Sequence, residues 1–323
     1  MHHHASYTLR APRVYLPVAL LTAGFIVWAA IGDPTDFGAV EFTILLASVL
    51  LLGIPHGAID HLVASDVYQL DASLKDQATF YAAYMAVMAL YATLWVLFPA
   101  VSLILFLLFA VYHFGQSDLA HIDASRELSY LLWVSRGLVL IGLPVFAHLA
   151  VVAPIFEMIA GIDMAAVPGL AANADLVVLA IIIQHVALLM GVLHYSKHGP
   201  LTFARELLTV SLLIALFLLA HPLVAFAVYF ALWHSLGHVL ELVQHFDETE
   251  ERFTVLAFYK KALPFTAISL GGLALLYGIN ILFGLEEHLI SLLFILIAVL
   301  TLPHMIVVER FYQTKKVSLQ RAD

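Results

Sequence analysis

The chain has 323 residues, 63% hydrophobic and 11% charged, with a mean hydropathy of +0.99. Soluble domains carry about 25% charged residues, so an ordinary soluble fold is excluded. A net charge of −9 argues against nucleic acid as a partner. The absence of cysteine removes thiolate-bound zinc, iron–sulfur clusters and cysteine-ligated haem.

His2, His3 and His4 directly follow Met1, read as a tag remnant and are set aside within an N-terminal tail, residues 1–13. Beyond it, apolar runs are continuous rather than alternating, which predicts membrane-spanning helices and not a β-barrel. Ten spans are expected, near 14–32, 38–60, 77–98, 99–117, 127–150, 174–195, 204–220, 222–245, 262–284 and 288–310. At about 1.5 Å per residue each reaches across about 30 Å of hydrocarbon, some only just. Tight turns are expected at Phe98-Pro99 and His221-Pro222; without them the count falls to eight. The segment 151–173 is apolar but broken by Gly161, Pro168 and Gly169, which predicts an interfacial loop or short helix. The expected architecture is all-α, a polytopic helical bundle forming one domain over 14–310 with a C-terminal tail over 311–323.

Charge orients this layout. With the N-terminus in the cytoplasm, Arg10, Arg13, Lys75, Arg126, Lys197, Arg205, Arg252, Lys260, Lys261, Arg310, Lys315, Lys316 and Arg321 all fall on the inner side. Outer loops carry Asp33, Asp36, Asp163, Asp175, Glu286 and Glu287 instead. This is the positive-inside pattern, and it predicts both termini in the cytoplasm. Arg136 alone lies inside a span, where pairing with an acid, snorkelling or a functional role are all open.

Orientation sets depth. His56 (span 2), His113 (span 4) and the pair His234 and His238 (span 8) come to a similar level in the inner half. His234 and His238 are four apart and share a helix face. Four imidazoles at one depth can share a metal ion. They can equally be core histidines bonded to backbone or hydroxyl groups across helices. Asp60, one turn after His56, could accept the second ring N–H of a ligand histidine, or be a solvated edge residue. His304 has matching depth and is a candidate to support the ligands. His61 points elsewhere, and Gln116 is expected to be a polar cap. His194 and His198 could form a second site but more simply face a loop. His185 is expected to bond another helix; His121, His148, His221, His245 and His288 need no special role.

The run Gly53-Ile54-Pro55-His56-Gly57-Ala58-Ile59-Asp60-His61 resembles the hallmark of the Brp/Blh family of bacterial and archaeal membrane β-carotene 15,15'-dioxygenases. Tyr112-His113-Phe114-Gly115, Trp233-His234-Ser235-Leu236-Gly237-His238 and Leu302-Pro303-His304 continue the resemblance, which covers most of the chain. It implies cleavage of β-carotene by O2 at its central double bond, giving two retinal molecules. It also implies a non-haem Fe(II) held by His56, His113, His234 and His238, and retinal passed on to a rhodopsin. The enzyme would lie in the lipid bilayer of the cell (inner) membrane, where its hydrocarbon substrate dissolves. Tyr112, Phe114, Tyr229, Phe230 and Trp233 are candidates to line the substrate tunnel, or simply to pack the core.

Imidazole suits several metals, so the ligands alone leave the metal open. A zinc-dependent membrane hydrolase, with Asp60 as base, is one rival. A haem- or metal-binding protein without enzymatic activity is another. A di-iron hydroxylase or desaturase would need histidine boxes such as HxxHH, which are absent. No lysine falls inside a span to carry a retinylidene Schiff base, and no P-loop motif is present.

Overall fold

Every element in the computed structural model is a helix among the described residues, which are 9, 11–32, 37–71, 73–195, 199–249, 252–283 and 289–322. His198, from the second histidine pair, lies outside them, as do His2 to His4 and His288. Ten helices are long and apolar enough to cross a membrane: α1 (Pro12–Ile31), α2 (Ala39–Val67), α3 (Leu74–Leu97), α4 (Pro99–Leu119), α5 (Arg126–Ala147), α7 (Leu170–Tyr195), α8 (Pro200–Leu219), α9 (Pro222–Glu248), α10 (Val255–Ile279) and α11 (Leu289–Lys315). The chain is a multi-pass membrane protein. Both tight turns form, because Pro99 and Pro222 each open a helix at a position where a missing N–H costs nothing. Between α5 and α7 lies the expected short helix, α6 (Leu149–Ala160), ended at Gly161, whose φ of +65° favours glycine.

Packing divides the chain into two units interleaved in sequence. The first comprises Met1–Gly53, Leu107–Glu157 and Asp163–Val255; the second comprises Ile54–Phe106, Met158–Ile162 and Leu256–Asp323.

In the first unit α1 packs on α8, and the start of α2 packs on the start of α9. Tyr15 ties α1 down: its hydroxyl donates to the Arg205 carbonyl (3.1 Å) and lies 3.0 Å from the Thr209 hydroxyl. Trp233 Nε1 donates to Thr22 Oγ1 (2.9 Å), bonding α9 to α1. The close approach of α4 to α5 rests on two glycines. A Cβ on Gly115 would collide with the Trp133 carbonyl, and one on Gly137 with the Val111 carbonyl. Small residues at a crossing let membrane helices approach backbone to backbone, and this crossing fixes the register of Tyr112-His113-Phe114. In the second unit α11 packs on α3 and on the Ile54–Gly57 and Asp60–Val67 segments of α2.

Three stretches wind as π-helix: Val49–Gly53 in α2, Leu138–Gly142 in α5 and Tyr229–Ser235 in α9. Single π turns are rare and concentrate at functional sites. Two of them pack on each other, and a Cβ on Gly53 would overlap the Phe230 ring.

His221 caps α9, its Nδ1 accepting from the Leu223 N–H (3.3 Å), and its ring lies on Phe37 at 4.7 Å. Burial lowers its pKa to about 4; nearby His148 adds to this and Glu41 opposes it. The unfolded chain protonates this group near about 6.5. Folding therefore draws stability from the neutral form above that pH and loses it as pH falls towards 4. The apparent melting temperature should drop between pH 7 and 4.5, and His221→Asn, which keeps a neutral cap, should flatten that drop. Equal slopes in the two proteins would discount His221 as the cause.

Candidate metal centre

The first unit holds three of the four candidate ligands. His113 sits on α4, His234 in the π-helical stretch of α9, and His238 one turn further on in the same helix. All are buried, between 2% and 3% exposed. The rings of His113 and His234 meet edge to face with centres 5.1 Å apart. Phe114 closes on His234 from one side at 4.6 Å, and Phe230 stacks on it nearly parallel at 5.7 Å. Phe230 and His234 are four apart within the π-helical stretch, which sets the two rings parallel and offset.

The second unit holds His56. Its helix is broken immediately afterwards: Ile54–Gly57 is one helical turn, Ala58 and Ile59 form a turn, and a new segment starts at Asp60. Asp60 is therefore in a first helical turn, where a carboxylate is favoured. It is buried, and not a solvated edge residue. Its Oδ1 lies 2.9 Å and its Oδ2 3.1 Å from His304 Nδ1, while the Tyr84 hydroxyl donates to Oδ2 at 2.8 Å. Because a carboxylate only accepts, Nδ1 of His304 is the donor of this bond. The His304 ring meets His56 edge to face at 4.9 Å and lies against Gly57, whose Cβ position is 3.4 Å from Nδ1. Asp60 thus orients His304, whereas spacing along α2 suggests that it serves His56. His61 packs between Phe265 (4.6 Å) and Tyr81 (6.4 Å), a structural role.

Do these residues suit a metal? A metal–nitrogen bond of about 2.1 Å puts an imidazole centre about 3.2 Å from the ion, so two rings at right or tetrahedral angles stand about 4.5–5.2 Å apart. Both histidine pairs fall in that range. Ordinary edge-to-face packing spans about 4.5–7 Å, so the spacing permits shared coordination without demanding it. Among the described residues no group of three or more His, Asp or Glu is placed to hold a metal ion. The structure offers a metal two buried imidazole pairs, donors of the type that binds iron, zinc, copper or nickel.

The aromatic candidates differ in their attachments. Phe114 and Phe230 touch His234. Tyr229 is anchored through its hydroxyl to Asp118 Oδ1 (3.3 Å) and Trp233 through its indole to Thr22, so both are held as core struts. Tyr112 stacks on Tyr130 at 6.1 Å and accepts from Gln116 Nε2 (3.2 Å). Gln116 is thus a buried interior group rather than a cap.

A buried ionic network was not evident from spacing. Arg136, 0% exposed, bonds Glu206 Oε2 through Nη2 (3.1 Å) and has Nε 3.6 Å from Asp118 Oδ2. His121 Nε2 meets the other Glu206 oxygen at 3.0 Å. Next to it, Ser135 bonds both His185 Nδ1 (2.8 Å) and Gln184 Oε1 (2.9 Å) across α5 and α7, so His185 does bond another helix. Arg136 and Glu206, single charges within apolar helices, were the available signal.

Residues 47–312 match the family model described as beta-carotene 15,15'-dioxygenase. The chain is 28% identical over 285 residues to the beta-carotene 15,15'-dioxygenase of an uncultured marine bacterium, 66A03, covering 83% of this chain and 93% of that one. It is also 28% identical over 286 residues to a probable beta-carotene 15,15'-dioxygenase, Blh, of Halobacterium salinarum, covering 82% of each. No solved structure matches it. The match takes in α3 to α10 whole and every histidine described above except the tag remnant, so the chain belongs to the beta-carotene 15,15'-dioxygenase family.

Proposed function

We propose that this protein cleaves the central 15,15' double bond of β-carotene with O2, giving two molecules of retinal, by means of a non-haem Fe(II) held by His56, His113, His234 and His238. The observation that carries this is the family match across residues 47–312, which contains all four histidines. The bound iron would supply the redox chemistry with O2 that no side chain here can provide. The protein's own part is to present neutral imidazoles, and Phe114 and Phe230 keep water from His234. Four neutral imidazoles would hold the ion without compensating its charge. β-Carotene is a hydrocarbon, so it reaches the protein from the bilayer. The charge pattern favours the cell inner membrane, both termini in the cytoplasm and a centre in the cytoplasmic half. Retinal is a natural supply for a rhodopsin.

The rival zinc hydrolase needs a carboxylate base, and Asp60 is already committed to His304 and Tyr84. Expression in cells that accumulate β-carotene decides the matter: orange colour should fade as retinal accumulates. Purified protein stripped with a chelator should recover with Fe(II) and not with Zn(II). Persistent colour with well-expressed protein, or recovery with zinc alone, would overturn the proposal.

A further inference from the structure

We infer that His304 is itself a ligand of the iron, seated beside His56 and aimed by Asp60; this rests on the ligand set proposed above. Three features of α11 and α2 carry it. The first is the orientation of the ring. His304 turns Nδ1 to the Asp60 carboxylate, which leaves Nε2 as the ring nitrogen a metal could take. Carboxylate–imidazole–metal chains are the usual means of fixing a ligand ring, and Tyr84 here clamps the carboxylate from its far side. The second is the spacing: 4.9 Å between the His304 and His56 ring centres, at 87°, suits two neighbouring ligands of one ion. The third is the local backbone. Gly57 lies against the His304 ring, its Cβ position 3.4 Å from Nδ1, and Pro303 sits inside α11 immediately before it, removing a backbone bond there.

A chain of Tyr, Asp and His with its acid and imidazole buried is a strong arrangement for bracing a helix as well, and the two roles part experimentally.

The test uses the full-length protein in detergent, loaded with Co(II) as a spectroscopic stand-in for Fe(II), with iron content measured in parallel. His304→Gly should change the visible cobalt spectrum, because one nitrogen donor is lost. It should weaken cobalt binding at least about 100-fold, more than the usual 10–100-fold loss of a supporting residue. Free imidazole entering the vacated space should restore the original spectrum. Should His304→Gly fail to accumulate, Asp60→Asn leaves every ring present and should weaken cobalt binding about 10–100-fold with the spectrum shifted. A wild-type cobalt spectrum and affinity in His304→Gly, or unchanged affinity in Asp60→Asn, would overturn the inference. If wild-type protein binds neither iron nor cobalt, the four-histidine set itself falls and this ligand with it. If His113→Ala loses metal while His304→Gly keeps it, only His304 is misassigned.

Discussion

Alanine at His113 or His234 should reduce retinal formation to less than about 1% of wild type, with bound iron lost in proportion. Removing a residue that merely supports a ligand already costs 10–100-fold in metal affinity or activity, so removing a donor should exceed that. The two rings stand 5.1 Å apart on different helices, and neither can take over the other's position. His56→Ala and His238→Ala should behave in the same way. His148→Ala is the contrast: that ring bonds the Phe217 carbonyl (2.8 Å), and its loss should leave turnover largely intact. Retinal yields and iron per protein, measured together on purified variants, check this. Full activity in any two of the four histidine variants would refute the ligand set.

Arg136→Met should be the most destabilising single change in the first unit. It removes the guanidinium from between Glu206 and Asp118 and leaves one buried and one partly buried carboxylate without it. Breaking a buried ion pair on one side costs about 3–5 kcal/mol, because the remaining charge loses its partner without regaining water. In a chain of this size that is an apparent melting temperature lower by roughly 10 °C. The damage should extend to the histidines, since Asp118 also holds the Tyr229 hydroxyl and the Tyr229 ring lies 6.5 Å from that of His234. Neutralising the acids together with the arginine, as Arg136→Met with Glu206→Gln and Asp118→Asn, should recover much of the loss. Thermal unfolding of purified protein in detergent is the measurement. A single variant that melts within 2 °C of wild type, taken here as roughly 1 kcal/mol or less, would show that the network is dispensable.

The spans were readable from the sequence because hydrocarbon thickness imposes a length on every apolar run, and Pro99 and Pro222 mark where two runs divide. The short helix before Gly161 was readable from its breakers. His304 was half readable: depth placed it at the right level, but its bond to Asp60 joins residues 244 apart in the chain. The Arg136 network was hidden for the same reason, since depth alone does not say which helices are neighbours. His121, taken as a loop residue, belongs to that network. The π-helical stretches were invisible, because one extra residue per turn leaves hydrophobicity along the run unchanged. The division into two packing units left no mark in composition either.

Those wide turns carry an evolutionary corollary. Each is an α-helix with a single residue inserted, so deleting one residue, Ala231 for instance, would return the stretch to ordinary winding. The wide turn already absorbs that residue, so the helix beyond it would turn by only about 30°, because seven π-helical residues and six α-helical ones span nearly the same angle. His234 and His238 would keep their facing. Phe230 would instead stand three places before His234 rather than four, so the pairing of this aromatic ring with the imidazole depends on an indel and not on a substitution.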